Sequence, residues 1–202
     1  MRDNDRLQDQ LRFIVEIDKL KSVSRRTRLI DGSRRENSAE HSWHLGIMAV
    51  LLAEYAPDAI DRARVLELVL LHDLVEIDAG DTFAYDVAGN VDRLERERAA
   101  ADRLFGLLPP DQAARCRARW DEFEAGDTPE ARFALALDRL QPLLQNVAAN
   151  GGAWRSHGVS REQVLERMRP IRDVSDTLWR FVQESLEEVW ERMGGTDERR
   201  AT

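Results

Sequence analysis

Histidine and carboxylate side chains, which bind metals in many proteins, stand inside the most apolar segments of this 202-residue chain. The segment VLELVLLHDLVEI contains His72, Asp73 and Glu76, and a later apolar segment contains Asp138. A third segment places His41 on an apolar helical stripe. Charged groups in an apolar core are costly unless they are paired or bound to metal. Two imidazoles and two carboxylates can form a first-row metal site with positions left open for water or substrate.

Glu76 adds a group that could take part in hydrolysis. It lies four residues after His72, so the two side chains share one face of a helix. A bound metal lowers the pKa of its water towards neutrality, and a carboxylate beside that water can orient it and accept its proton. The pattern therefore favours a metal-dependent hydrolytic centre.

The same residues also allow a structural interpretation without a metal, and the pattern leaves it open. His41 could be a hydrogen-bonded core histidine, and the carboxylates of the two apolar helices could pair with arginines. Candidate arginine partners are Arg64, Arg93 and Arg139. Glu40 follows Asn37 by three residues, as in a helix-capping box, so a capping role is favoured over a metal-binding role.

Hydrophobic periodicity predicts that helices position these residues. The predicted helices span about 5–21, 37–55, 61–78, 91–107, 110–124, 128–149, 160–169 and 171–193. Irregular segments are expected at 22–37, 80–90 and 150–158, and no strand pattern is present. In the first helix, Leu7, Leu11, Ile14, Ile17 and Leu20 form one apolar face. We expect a single all-α domain over residues 1–193, followed by a frayed tail at 194–202.

Pro142 lies four residues after Asp138, inside an apolar helical segment. Proline at that position removes the hydrogen bond to the Asp138 carbonyl. It either kinks the helix beside the carboxylate or ends the helix there, and the sequence leaves both outcomes open.

Composition narrows the class of protein and its compartment. The net charge of −8 argues against nonspecific binding to nucleic acid or to an anionic membrane. No apolar run approaches the roughly 18 residues that span a membrane, and MRDNDRLQDQ lacks the apolar core of a signal peptide. A single cysteine, Cys116, excludes an internal disulfide framework. We therefore expect a cytoplasmic protein.

The segment 22–37 is basic within this acidic chain, so a small phosphorylated substrate remains compatible with the net charge. Its arginines are Arg25, Arg26, Arg28, Arg34 and Arg35.

Three motifs resemble a known family. AEHSWH at 39–44, LLHDLVEIDAGDT at 70–82 and ALDRLQP at 136–142 are similar to the H…HD…D signature of HD-domain metal-dependent phosphohydrolases, in particular the 5′-deoxynucleotidases. The resemblance implies a helical bundle of the HD-domain type, a homodimer, and one divalent transition metal such as cobalt or manganese. The metal ligands that it implies are His41, His72, Asp73 and Asp138.

The resemblance also implies the residues that act on the substrate. Glu76 matches the catalytic glutamate, and Asp81 matches a second acidic position in the site. Arg26 is the positional match for the arginine that holds the 5′-phosphate of a deoxynucleoside monophosphate, with Arg28 or Arg34 as alternatives. In well-studied bacterial members an aromatic residue that disfavours ribose follows this arginine, whereas Thr27 stands here.

The expected function is removal of the 5′-phosphate from (deoxy)nucleoside monophosphates. One alternative is an HD hydrolase of another nucleotide, such as a guanosine polyphosphate or a cyclic nucleotide. The chain has four histidines, which argues against a histidine-rich site for two metals. The other alternative is a non-catalytic nucleotide-binding module, against which the complete ligand set and Glu76 both argue.

Overall fold

The computed structural model describes residues 3–57 and 60–197. The helices are α1 (Asp3–Glu16), α2 (Ser38–Leu51), α3 (Arg62–Leu71), α4 (Glu76–Ala79), α5 (Arg93–Phe105), α6 (Pro110–Ala125), α7 (Pro129–Ala148), α8 (Gly152–His157), α9 (Arg161–Arg167), α10 (Arg169–Arg172) and α11 (Asp176–Asp197). Three 3-10 turns cover Ile17–Ser22, Leu52–Tyr55 and His72–Val75, and a hairpin is formed by β1 (Ser24–Arg28) and β2 (Arg35–Asn37). The predicted helical class is therefore confirmed.

Helix α7 lies at the centre of the fold, packed against α2, α3, α6, α10 and α11. Its start is fixed by Thr128, whose hydroxyl accepts the Ala131 N–H, and by Pro129 in the first turn. Phe133 and Leu137 from α7 are fully buried with Leu45 of α2 and Leu68 of α3. This shared core fixes the three segments that carry the predicted metal ligands.

The capping box predicted at the start of α2 is present. The Glu40 N–H donates to Asn37 Oδ1 at 2.9 Å, and the Asn37 N–H donates to Glu40 Oε2 at 3.2 Å. Arg34 adds an ion pair to Glu40, with Nη2 2.5 Å from Oε1. These bonds fix the first turn of α2, in which His41 is buried.

The prediction of one continuous third helix is wrong at its second half. Helix α3 ends at Leu71, and His72 and Asp73 stand on a 3-10 turn that leads into α4. The two helix types have similar periods, so an apolar pattern does not distinguish them over one turn. The consequence is that the HD pair lies on a tightened turn between two short helices.

The prediction of an irregular segment at 22–37 without strands is also wrong. Strands β1 and β2 pair in antiparallel register, with Ser24 opposite Asn37 and Arg28 opposite Arg35. Along β1, Arg25 and Thr27 face the protein while the intervening residues are exposed. Because the inward residues are polar, this alternation has no hydrophobic signal that sequence analysis could detect.

Other differences concern helix faces and ends. Leu7, Leu11 and Ile14 of the predicted apolar face of α1 are about half exposed, whereas Leu20 is buried. A short helix, α8, lies in the segment expected to be irregular at 150–158. Pro142 lies inside α7, which continues beyond it, so the helix does not end there.

At the C-terminus, α11 extends through Asp197, which corrects the expected start of the tail at 194. Residues 198–202 lie outside the described part of the chain, so the rest of that expectation stays a prediction. Among the helices that are described, none is long and apolar enough to cross a membrane.

Candidate metal centre

The four predicted ligands come together at one buried point between α2, the 3-10 turn after α3, and α7. His41 Nε2 lies 2.9 Å from Asp138 Oδ1, and His72 Nε2 lies 2.9 Å from Asp73 Oδ1. The two cross distances, His72 Nε2 to Asp138 Oδ1 and His41 Nε2 to Asp73 Oδ2, are 3.8 Å and 3.9 Å. Ligand atoms of His41, His72 and Asp73 all lie within 4.8 Å of one another. The arrangement therefore has the donor atoms and the dimensions of a binding site for one metal ion.

Hydrogen bonds determine which nitrogen of His41 is free. Glu36 Oε1 accepts from Gln141 Nε2 at 2.7 Å, which turns the amide oxygen of Gln141 towards His41. His41 Nδ1 therefore carries the hydrogen and donates it to Gln141 Oε1 at 3.0 Å. In the neutral ring Nε2 then holds a lone pair that points at Asp138.

His72 is held in the same tautomer by the backbone. Its Nδ1 donates to the Val69 carbonyl at 2.9 Å. Its Nε2 is buried and, within the described residues, has no partner in hydrogen-bonding geometry although Asp73 Oδ1 is near. With both Nδ1 atoms donating, the Nε2 atoms of the two histidines are the ring positions left to bind a cation, and each lies beside a carboxylate. A divalent transition metal fits this donor set, since it can take the place of the ring protons between the nitrogens and the carboxylates.

The pKa of His72 reflects the same electrostatic arrangement. Burial lowers the pKa, but the Asp73 and Asp138 carboxylates outweigh it and raise the pKa to about 10. Burial also opposes ionisation of Asp73, yet the neighbouring His72 and Arg25 bring its pKa down to about 2. The cluster thus stabilises a positive charge at the point where a metal would bind.

Glu76 faces the same space from the first residue of α4. Its Oε2 accepts the Ser38 hydroxyl at 2.6 Å, a contact that fixes the carboxylate against the start of α2. Burial and the nearby Asp73 charge raise the pKa of Glu76 well above its ordinary value. A positioned carboxylate with a raised pKa suits proton transfer near neutral pH.

Asp81, the second predicted acidic residue, is mostly buried in the loop after α4, and its Oδ1 lies 3.8 Å from Arg25 Nη1. Burial raises the pKa of Asp81, and Arg25 opposes that rise. The structure therefore places both predicted catalytic carboxylates beside the ligand cluster.

The hairpin separates the two adjacent arginines of β1. The side chain of Arg25 is largely buried, with 12% of its surface exposed, and its Nη1 lies 3.0 Å from Asp73 Oδ2. Arg26 is exposed on the other face of the strand, although it lines the edge of the same cavity. The alternatives Arg28 and Arg34 engage the Gly32 carbonyl and Glu40, respectively. Of the arginines in the segment 22–37, Arg25 is thus the one that contacts the ligand cluster, and the strand period is the signal that could have found it.

Glu36 is a buried carboxylate that sequence reasoning did not identify as part of the site. Its Oε1 accepts from both Gln141 and Gln145, at 2.7 and 2.8 Å. Its Oε2 accepts from Thr27 at 3.5 Å and lies 3.6 Å from Arg25 Nε. One carboxylate thereby links Arg25 to the amide that orients His41.

The alternative arginine pairings are only partly found. Arg64 pairs with Glu122, and Arg93 pairs with Glu97 and Glu124, so neither contacts Asp73 or Glu76. The expected pair of Arg139 with Asp138 is present and engages Oδ2, which leaves Oδ1 facing the histidines.

The cluster opens into a cavity of about 360 Å³, within the size range of small-molecule sites. Besides the charged groups, Phe83, Tyr85, Phe123 and Trp154 line it with aromatic surface. Phe123 packs on His72, with ring centres 4.5 Å apart, and Phe83 packs on His157 at 4.7 Å. The cavity therefore offers both charged groups and aromatic faces to a ligand.

The sequence profile of the HD domain family matches residues 17–179. A crystal structure of a predicted metal-dependent phosphohydrolase from Magnetospirillum magnetotacticum is similar, with 55% identity and a TM-score of 0.89 over 93% of this chain and 94% of that one.

Curated relatives are more distant. The 5′-deoxynucleotidase HDDC2 of Homo sapiens is 28% identical over 136 residues, which is 67% of this chain and 65% of the human protein. The 5′-deoxynucleotidase hdd1 of Schizosaccharomyces pombe is 26% identical over 141 residues, with coverages of 66% and 68%. The chain thus matches slightly less than two thirds of the human protein's length.

Proposed function

The chain belongs to the HD domain family, and we propose that it is a metal-dependent phosphohydrolase that releases the 5′-phosphate of deoxynucleoside monophosphates. The observation that carries the proposal is the placement of both histidine Nε2 atoms 2.9 Å from the Asp138 and Asp73 carboxylates, with Glu76 and Arg25 beside them. The names of the curated relatives support the substrate class.

His41, His72, Asp73 and Asp138 would hold one divalent ion, which we propose is cobalt, manganese or a similar transition metal. Such an ion supplies Lewis-acid activation of water and neutralises charge that develops on the phosphoryl group. The protein contributes the orientation of the ligands, through the Val69 carbonyl for His72 and through Gln141 for His41.

Glu76 acts as the general base in this proposal. The attacking water gives its proton to the Glu76 carboxylate while its oxygen forms the new bond to phosphorus. The hydroxyl of Ser38, bonded to Oε2, holds the carboxylate in one orientation. The ester bond from phosphorus to the 5′-oxygen breaks, and that oxygen must gain a proton to leave as an alcohol. Asp81, whose pKa is raised by burial, is the proposed carrier of that proton.

The cationic and the aromatic lining of the cavity recognise different parts of the substrate in this proposal. A guanidinium binds phosphate through several parallel N–H donors, and Arg25 lies 3.0 Å from the ligand Asp73. Arg26, at the edge of the cavity, stays the predicted contact for the phosphate in its approach. Phe83, Tyr85 and Trp154 offer faces on which a nucleobase can stack.

A phosphate-release screen tests the function. Purified protein is assayed with 2′-deoxy- and ribonucleoside 5′-monophosphates, a nucleoside diphosphate, a guanosine polyphosphate and a cyclic nucleotide, each with several divalent metals. We expect the deoxynucleoside monophosphates to have the highest kcat/KM, with no turnover after chelation.

His72→Ala serves as the matched control in the same screen, and it should lose bound metal and activity together. Preference for a polyphosphate or a cyclic nucleotide would replace the substrate assignment. Metal binding with no turnover of any substrate would instead support a non-catalytic nucleotide-binding module.

We also propose that the enzyme is a cytoplasmic homodimer that acts on a small nucleotide, without nucleic acid or a membrane as partner. Helix α2 supports the dimer, because Trp43, Ile47, Val50 and Leu51 are all exposed on it, Trp43 to 65%. Leu70 of α3 continues this apolar face beside Gly46. Large exposed apolar faces are typical of interaction sites. Light scattering after size exclusion should give twice the monomer mass, and Trp43→Glu should lower it; a monomeric wild type would refute the dimer.

A further inference from the structure

The far side of the cavity, formed by α7 and the end of α9, carries two arginines that the proposed mechanism does not use. Arg139 follows the ligand Asp138 on α7, and Arg167 is the last residue of α9. Both line the cavity that contains His72 and Asp73. Arg167 also lines an open groove that adjoins this cavity at Tyr85 and Asn90, so it stands between the buried site and the surface.

The charge of Arg167 is not balanced by the protein in the way that the other cavity arginines are balanced. Arg25 lies within 4 Å of Glu36, Asp73 and Asp81, and Arg93 lies between Glu97 and Glu124. Arg139 shares Oδ2 of Asp138. Within residues 3–57 and 60–197, the side chain of Arg167 makes no ion pair and no hydrogen bond; Arg139 is the charge that most disfavours its protonation, and Asp138 favours it only from beyond ion-pairing distance.

Physical chemistry makes this arrangement unfavourable in the free protein. Burial and repulsion from Arg139 lower the pKa of Arg167 to about 10, so the side chain is still charged at neutral pH. A half-buried guanidinium loses much of its hydration and normally gains a carboxylate in return. Here that role is open to a group that enters the cavity, and an anion with several acceptor oxygens suits the donors of a guanidinium.

We propose that Arg139 and Arg167 form a phosphate-binding subsite on the α7–α9 side of the cavity, across the ligand cluster from Arg25. The subsite rests on the proposed function in one respect: the phosphate that it binds belongs to the small-molecule substrate. It adds Arg167 as a specificity-determining residue from a segment that contains none of the family motifs.

The phosphate at this subsite has two possible sources. It is either the phosphoryl group that is hydrolysed, which Arg25 and Arg167 would both bind, or a second phosphate on the same substrate. The chemistry of recognition is the same, and substrates with one or two phosphates distinguish the sources.

Inorganic phosphate is the direct probe, since its binding does not require turnover. Isothermal titration of the metal-containing protein with phosphate is compared for the wild type, Arg167→Gln and the control Arg169→Gln. Arg169 lies two residues further along, is exposed, and forms an ion pair with Glu166. We expect Arg167→Gln to weaken phosphate binding by roughly tenfold or more, or to remove one bound phosphate, because a charge-assisted hydrogen bond is lost. Arg169→Gln should bind as the wild type does.

Melting temperature separates a binding role from a structural one. In phosphate-free buffer Arg167→Gln should melt at the same temperature as the wild type or higher, because it removes an unbalanced charge. Phosphate should then stabilise the wild type and Arg169→Gln more than Arg167→Gln. Wild-type phosphate binding by Arg167→Gln, equal weakening by both variants, or a lower melting temperature of Arg167→Gln without phosphate would each overturn the subsite.

Kinetics with two substrates then identify the source of the phosphate. A fall in kcat/KM of Arg167→Gln on a deoxynucleoside 5′-monophosphate assigns the subsite to the reacting phosphoryl group. A fall confined to a nucleoside 3′,5′-bisphosphate or diphosphate assigns it to a second phosphate. If no deoxynucleotide is hydrolysed but phosphate binding still depends on Arg167, the substrate assignment fails and the subsite stands.

Discussion

On the hairpin side of the cavity, Arg25 faces three carboxylates, from Glu36, Asp73 and Asp81. On the α7–α9 side, Arg167 faces Arg139 and, among the described residues, no carboxylate within ion-pairing distance. On the first side the arginine has carboxylate partners within the protein, whereas on the second side a ligand would supply them.

This difference in ion pairing indicates how the two sides contribute to catalysis. Groups that are already held by hydrogen bonds do not need to reorganise during the reaction, which is the main source of electrostatic catalysis. A side chain with an unbalanced charge costs stability in the free protein and recovers that cost on binding. We therefore expect the hairpin side to orient the reacting groups and the α7–α9 side to bind the phosphate of the substrate.

Glu76, which lines the same cavity, gives the largest expected effect. Glu76→Gln keeps the size and removes the basic oxygen, so metal content and folding should be near normal while kcat falls by roughly 10²–10⁴-fold. Metal stoichiometry, melting temperature and kcat are measured on the same preparations. Wild-type kcat would remove Glu76 from the mechanism and leave it a hydrogen-bond partner of Ser38.

A substitution at Glu36 tests whether its hydrogen bonds are needed to position His41. Glu36→Gln weakens the hold on Gln141, which orients His41, so metal affinity should fall by about 10–100-fold. Competition with a metal chelator measures the affinity. The control is Glu40→Gln on the same segment, whose carboxylate contacts the helix cap and Arg34, not the ligands. Equal metal affinity in both variants would show that the network is not needed to position His41.

The two β1 arginines provide a sharper version of the same comparison. Arg25→Gln should raise KM for a monophosphate by about tenfold or more, because it removes a charged donor next to the ligands. Arg26→Gln should raise KM less, since Arg26 is exposed at the edge of the cavity. Steady-state kinetics on both variants decide between them. A larger effect at Arg26 would assign the phosphate contact to the outer residue.

Glu97 shows a third way in which charge is balanced, with one arginine between two carboxylates. Burial raises the pKa of Glu97 to about 7, although Arg93 opposes the rise. Between its ordinary value and about 7 the folded state binds more protons than the unfolded state, so this group's contribution to stability is lost as pH rises through that window.

Glu97→Gln should therefore flatten the loss of stability between pH 5 and pH 8, by roughly 1–3 kcal/mol. Denaturant unfolding at the two pH values measures the change, and the exposed Glu95→Gln is the control on the same helix. A wild-type pH slope in Glu97→Gln would mean that Glu97 ionises normally.

Much of the site follows from local sequence properties. Apolar runs that contain isolated histidines and carboxylates identify His41, His72, Asp73 and Asp138, because burial makes an unpaired charge costly wherever the run folds. The capping box at Asn37 is equally local, since its two hydrogen bonds join residues three positions apart. The ligand candidates and the capping box depend on residues a few positions away in the chain, so the sequence is enough to predict them.

Three functional details depend on neighbours that are distant in the chain. The choice between Arg25 and Arg26 depends on the pleat of β1, which is set by its pairing with β2. Glu36 reaches Gln141 across 105 residues, and Arg167 lines the same cavity as Arg139 because α10, which follows it, packs against α7. The helical class and the candidate ligands could thus be predicted from the sequence, since burial and periodicity act over a few residues. Which cavity arginines have carboxylate partners follows from the tertiary structure alone, because ion pairs form between groups that are close in space.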